Sequence, residues 1–257
     1  MTSQAPAFAQ GTGAFPITLV VITATDLVAS GNFYSQVFGW HVQQMSAELS
    51  GAMTPSGPMA ALRTGVPQGG PGMIPFIACT DVEATLGRAV AAGGAVDKPA
   101  WVVLNAGQRA RFSDPSGTVY GLHDSLSPRA MPRIPTPLGP GPKPPANSIC
   151  SLEMYAADRA AAGTFFGDVF GWATQQVIPE FLSFDPGKSV GGVFQSHTPA
   201  NSAVAYIYSD SVGATLTAIE AAGGKRMGDA MEMPGMGCFG YFADPAGTMM
   251  GLIGPSA

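Results

Sequence analysis

The sequence predicts an α+β fold of two tandem halves, each a pair of βαβββ modules, and three observations carry that prediction. The chain repeats itself. TDLVASGNFYSQVFGW (25–40) matches ADRAAAGTFFGDVFGW (157–172) at an offset of 132, and DVEATLGRAVAAGGA (81–95) matches SVGATLTAIEAAGGK (211–225) at 130. FSDPSGTVYGLHD (112–124) matches FADPAGTMMGLIG (242–254), again at 130. Three collinear blocks at nearly constant spacing mark a tandem duplication. The join is a stretch, LSPRAMPRIPTPLGPGPKPPAN (126–147), with eight prolines and neither helical nor strand periodicity. Proline removes backbone donors and favours extended polyproline conformations, so this reads as a semi-rigid linker between domains at 13–125 and 148–257. Finally, a strand-then-helix order occurs twice within each half.

Taken in order, FPITLVVITATD is β-branched and apolar, hence a buried strand. Asp26 stands where an N-cap is wanted, and LVASGNFYSQVFG carries apolar residues at helical spacing up to Gly39, the expected C-cap. Trp40 opens the next strand. IPFIACTD followed by VEATLGRAVAAGG repeats the order, with Gly93 and Gly94 ending the helix. RARFSDPSGTVYGLHD is strand, turn, strand, with Asp114-Pro115-Ser116-Gly117 as the turn. The same elements recur in the second half.

Composition excludes several classes of function. The net charge is −5, with 12 Lys+Arg and no basic run, so there is no clustered cation to neutralise nucleic-acid phosphates. Charged residues are 11% of the chain, under half the usual share of about 25%, so the surface leans on small and polar residues. Cys79, Cys150 and Cys238 form no CxxC and no even framework, which suits a reducing cytoplasm. MTSQAPAFAQGTG lacks the charged and apolar regions of a signal peptide, and no apolar run approaches the roughly 18 residues of a membrane helix. A cytoplasmic monomer or homodimer, off the membrane, is the expectation.

The D-x6-FY-x3-FGW motif, the second strand and helix ending in AAGG, and the strand–DPxG–strand close resemble the vicinal-oxygen-chelate (glyoxalase, bleomycin-resistance, dioxygenase) superfamily. More narrowly, the chain is similar to its two-domain actinobacterial glyoxalase-like members. The resemblance covers both halves, leaving out the first dozen residues and the linker. It implies a tandem pair of such domains, four βαβββ modules whose mixed sheets curl into cups around a ligand. Family activities include glyoxalase, extradiol dioxygenase, epimerase, fosfomycin-modifying transferase and metal-free bleomycin sequestration.

Metal-dependent members of the family place ligands at positions that here hold Leu19, Ile74 and Gly121 in the first half, and Ser151, Val204 and Gly251 in the second. The acid position falls near Leu62–Arg63 and Phe194–Gln195, where no carboxylate occurs. A divalent ion needs three or four N or O ligands converging on it, and one serine does not supply them. His41, His123 and His197 lie off the pattern. No metal and no other cofactor is expected, and glyoxalase or dioxygenase chemistry, which polarises an oxygen with a metal, falls in rank.

The resemblance implies that the ligand-facing set includes the first metal position, and strand alternation extends that face along each strand. The first cup then receives Leu19, Val21, Thr23, Ile74, Phe76, Ala78, Val119 and Gly121, nearly all apolar. The second receives Ser151, Glu153, Tyr155, Val204, Tyr206, Tyr208, Met249 and Gly251. Glu153, desolvated in an apolar cup, is the candidate general base or acid, with Tyr206 and Tyr208 as donors to a developing oxyanion. The sequence equally allows Glu153 to bond local backbone or pair with an arginine. Ser151, Tyr155, Trp101, Met249, Phe76, Leu19 and Arg109 are the expected ligand contacts. Arg109 and Arg111 alternate on one strand face and would hold an acidic group, or form a solvated edge. RMGDAMEMPGMG (226–237) reads as an adaptable methionine-rich flap. GVPQGGPG (65–72) lacks the order of a phosphate loop.

Two functions follow. One is a cofactor-free cyclase, isomerase or lyase on an aromatic or polyketide-like metabolite, with proton transfer by Glu153. The other is sequestration of a drug-like compound, as in bleomycin resistance, which needs a pocket but no acid–base group. The enzyme is favoured because a carboxylate facing an apolar cup costs stability unless something uses it. A relic that binds no small molecule is the third reading.

Overall fold

The computed structural model describes residues 10–66, 72–104, 106–125, 132–137, 141–234 and 237–256. The first apolar run forms β1 (Ile17–Thr23) and is followed by α1 (Leu27–Phe38). Asp26 caps that helix, its carboxylate accepting from the Val28 and Ala29 N–H groups at 2.8 and 3.0 Å. Gly39 ends it at φ 66°, a left-handed conformation that glycine adopts without Cβ strain. Three strands complete the module: β2 (His41–Gln44), β3 (Leu49–Met53) and β4 (Met59–Arg63). The second module is β5 (Met73–Ala78), α2 (Val82–Ala91), β6 (Ala95–Val102), β7 (Gln108–Ser113) and β8 (Val119–His123). The Asp114 turn closes as expected, Gly117 N–H donating to the Asp114 carbonyl at 2.9 Å.

The second half repeats the plan: β9 (Ile149–Tyr155), α3 (Arg159–Phe170), β10 (Ala173–Ile178), β11 (Phe181–Asp185) and β12 (Gly192–Gln195). Then come β13 (Ala203–Tyr208), α4 (Val212–Ala221), β14 (Lys225–Arg226), β15 (Met231–Met233), β16 (Gly237–Ala243) and β17 (Met249–Gly254). Each half is one mixed sheet. The first has the order β2-β3-β4-β1-β5-β8-β7-β6, and the second the equivalent β10-β11-β12-β9-β13-β17-β16-β14, with β15 also pairing β16. In both, the first strands of two modules lie antiparallel at the centre, β1 beside β5 and β9 beside β13.

One expectation is corrected in part: within the methionine-rich segment, Met231–Met233 is a strand, hydrogen-bonded along β16. Within the proline-rich stretch, Ile134 is buried, its N–H donates to the Ser189 carbonyl at 2.8 Å, and Arg133 pairs with Asp185 at 2.5 Å. Residues 126–131 and 138–140 of that stretch, and 67–71 of the glycine-rich loop, lie outside the described residues.

The core sits between the halves. One face of each sheet, with its helices, joins a single large apolar cluster that includes Phe33, Phe38, Phe112, Phe166 and Phe242. The other face of each sheet is left concave. Among the described residues no helix is long and apolar enough to cross a membrane.

Candidate active site

The concave face of the second sheet is set by strand alternation. Along β9, Leu152 and Met154 are fully buried in the core, while Ser151, Glu153 and Tyr155 are half-buried on the opposite face. Glu153 is met there by three side chains. The Tyr206 hydroxyl, from β13, donates to Glu153 Oε1 at 2.8 Å. Tyr241, from β16, lies 3.4 and 3.3 Å from Oε1 and Oε2, and its hydroxyl also bonds that of Tyr206. Gln195, the last residue of β12, donates through Nε2 to Oε2 at 3.1 Å. In a flat sheet β12 and β16, four places apart, would lie roughly 19 Å from each other. Their side chains meet on one carboxylate, so the sheet is curled into a deep cup.

The electrostatics are those of a desolvated acid. Burial pushes the Glu153 carboxyl above the usual carboxylate range, and the Tyr206, Tyr241 and Gln195 donors and the nearby His197 partly offset the rise. The phenols move the same way. Burial and the adjacent carboxylate raise Tyr206 well above its ordinary value and push Tyr241 up to about 12. Gln195 is itself held in place, its Oε1 accepting from the Thr198 N–H at 3.2 Å and its Nε2 donating to Thr198 Oγ1 at 3.1 Å.

Of the residues expected in this site, Glu153 and Tyr206 are brought together, with Ser151 and Tyr155 on the same strand face. Tyr208 stands apart. Tyr208, the last residue of β13, is buried beside Cys150 and Asp210. Tyr241 and Gln195 were not anticipated, although the alternation of GCFGYFA along β16 faces Phe239 and Tyr241 to the cup. Met249 lines a cavity of about 520 Å³ between the halves with Val204, Thr23, Gly72, Met73 and Thr248. Leu19 and Phe76 floor the first cup with Val21, Ala61 and Ile74. Arg109 and Trp101 are paired across β7 and β6 on the wall of that cup.

Whether a metal fits can be judged from the residues. At the glycine of each closing strand, the space a ligating side chain would need is filled by an aromatic ring. A Cβ on Gly251 would lie 2.5 Å from the Tyr206 ring, and one on Gly121 would lie 2.2 Å from the Phe76 ring. Ile74 and Val204 offer no donor. Among the described residues no three His, Cys, Asp or Glu side chains converge. The donor set does not fit a divalent ion in either cup.

Residues 17–120 match the family described as the Glyoxalase/Bleomycin resistance protein/Dioxygenase superfamily. The chain is 27% identical over 256 residues to the "Putative glyoxylase CFP32" of Mycobacterium tuberculosis and to the protein of the same name in Mycobacterium bovis, covering 92% of this chain and 94% of each relative. Among solved structures it is similar to the Mn(II)-bound glyoxalase from Novosphingobium aromaticivorans, with TM-score 0.63 and 13% identity, covering 97% of this chain and 84% of that one. It is also similar to the 2,3-dioxygenase LapB from Pseudomonas sp. KL28, with TM-score 0.64 and 14% identity, covering 96% and 94%. At these identities the structural likeness speaks for the fold.

Proposed function

The chain belongs to the glyoxalase/bleomycin resistance/dioxygenase (vicinal oxygen chelate) superfamily, and from that premise we propose that its C-terminal cup is a metal-independent acid–base site for an aromatic or polyketide-like small molecule. One observation carries the reading: a desolvated carboxylate on the concave face, Glu153, is held by two phenols, Tyr206 and Tyr241. A carboxyl with a raised pKa is a stronger base when ionised and is closer to proton balance at neutral pH.

The chemistry that suits these groups is isomerisation next to a carbonyl. Glu153 takes a proton from the α-carbon, and the C–H electron pair moves into a C=C bond as the carbonyl π pair moves to oxygen. A phenol swings from the carboxylate to donate to that enolate oxygen. Where the substrate carries a β,γ C=C bond the intermediate is a dienolate: Glu153 returns the proton to the γ-carbon, the oxygen pair re-forms the C=O, the double bond moves to the α,β position, and the product is an isomer with no oxidant or reductant consumed. Cyclase and lyase chemistry would begin with the same proton removal.

A second reading, sequestration of a drug-like compound without turnover, is favoured by the saturation of the carboxylate: protein donors meet both oxygens. The two readings separate in D2O. With 2-tetralone as probe, proton NMR should show α-deuteration well above the buffer rate for the wild-type protein, and Glu153→Gln should abolish it while changing probe affinity by less than about twofold. Tight probe binding with exchange no faster than buffer would leave the sequestration reading standing in its place.

A further inference from the structure

The two cups have opposite chemistry. Where the second has Glu153, Tyr206, Gln195, Phe239 and Tyr241, the repeat places Val21, Phe76, Arg63, Arg109 and Arg111 in the first. Leu19, Val21, Ala61, Ile74 and Phe76 form an apolar floor separate from the main core, with Leu49 and Val119 packed beside it. Arg63 shares the concave face of β4 with Ala61, and Arg109 and Arg111 share that of β7, where Ala110 and Phe112 point to the core. The Arg109 guanidinium lies 5.8 Å over the Phe76 ring.

Arg111 is neutralised by Asp97 at 2.6 Å. Arg63 and Arg109 form no ion pair among the described residues, and all 17 Asp and Glu side chains of the chain are described. Arg109 Nε is buried without a hydrogen-bond partner. Burial first, and then the neighbouring Arg63, push Arg109 below the usual guanidinium range, and both side chains stand on the concave face of the same sheet. Two uncompensated like charges over an apolar floor are costly, and an anion between them removes that cost.

We propose that the N-terminal cup is a second small-molecule site, for a carboxylate with an aromatic or branched apolar body, its carboxylate bound by Arg63 and Arg109 and its body by the Leu19, Val21, Ile74 and Phe76 floor. The planar guanidinium fork suits a carboxylate, and the apolar floor distinguishes the ligand from a bare inorganic anion. The site is independent of the acid–base reading of the other cup.

Calorimetric titration of the full chain with benzoate and 2-naphthoate tests the proposal, with 2-naphthamide and inorganic phosphate as controls. At least one carboxylate should bind at one equivalent, with 2-naphthamide and phosphate each weaker by about tenfold or more. Arg63→Gln and Arg109→Gln should each cost about tenfold for the carboxylate and little for the amide. Arg109→Lys, which keeps the charge and the fold, should recover part of the loss. Amide resonances of Phe76 and Gly121 should shift on binding, and those of Gly251 should not. Binding of neither carboxylate, equal binding of amide or phosphate, or shifts centred on Gly251 would each overturn it.

Discussion

At the residue scale, Glu153 makes a prediction that needs no substrate. Its folded-state pKa lies above the unfolded value, so between the two the folded protein binds more protons than the unfolded chain. Stability must therefore fall as pH rises through that window. Glu153→Gln removes this dependence, and its melting temperature relative to the wild type should be higher at pH 8 than at pH 4. A difference independent of pH would mean that burial does not perturb this carboxyl. In the acid–base reading, turnover needs the ionised form, so the acid limb of its pH profile sits above the ordinary carboxylate range. Tyr241→Phe, which removes a donor that lowers the pKa, should move that limb further up. Gly251→Ala tests the ring that fills the metal position: its Cβ would press on the Tyr206 ring, costing about 1–3 kcal/mol and weakening the Tyr206–Glu153 bond. Much of this site was legible. Alternation from the DPxG and FGW landmarks placed Ser151, Glu153 and Tyr206 on one face, because a period of two is rigid within a strand. Tyr208, two residues on at the end of β13, is instead buried beside Cys150 and Asp210, which alternation alone does not report. Gln195 stands where the family's acid was sought, on the strand paired with β9, but the search there was for a carboxylate; Tyr241 escaped because β16, three places from β9, meets Glu153 only through the curl of the sheet, which no local pattern encodes.

At the element scale, the four helices among the described residues make a controlled comparison of caps. Asp26, Asp81 and Asp158 each accept from N–H groups in the first turn of their helices, whereas Ser211, in the same place before α4, makes no side-chain cap bond. Ser211 is exposed, so a longer acceptor has room to reach back. Ser211→Asp should restore the arrangement seen at Asp81, gaining about 0.5–1 kcal/mol from the cap and the helix dipole and raising Tm by roughly 1–4 °C for a chain of this size; no gain in a thermal melt would count against it. The other element-level lesson is the methionine-rich segment. Its composition suggested a flap, yet β15 is fixed by main-chain pairing to β16, with Met231 opposite Phe239. Composition reports which side chains are adaptable; it does not report whether an adjacent strand offers unpaired donors and acceptors.

At the scale of the whole molecule, the duplication has produced two lobes that do not own separate cores. Phe33 and Phe38 of α1 pack on Phe242 of the second lobe, while Phe112 and Tyr120 of the first pack on Phe165, Phe166 and Phe170 of α3. Polar contacts follow the same approximate two-fold relation. Thr118 Oγ1 donates to the Tyr155 carbonyl and Thr248 Oγ1 to the Thr23 carbonyl, each at 3.3 Å. Trp40 Nε1 donates to the Asn147 carbonyl at 2.8 Å and Trp172 Nε1 to that of Phe15 at 2.9 Å. The FGW tryptophans thus belong to the seam between lobes, which accounts for their recurrence in both repeats. Where the symmetry breaks, it does so with compensation. Tyr34 of the first lobe donates to Asp244 across the seam at 3.0 Å, whereas the equivalent Asp114 draws its phenol from Tyr120 in its own lobe at 3.4 Å. A shared core predicts one cooperative unfolding transition, with calorimetric and van't Hoff enthalpies in agreement. Tyr34→Phe should lower that single transition by roughly 1–3 kcal/mol, since it takes a partner from a buried carboxylate, and should not split it. Two resolved transitions in scanning calorimetry would instead mean that each lobe stands alone and that the aromatic seam is a docking contact between finished domains.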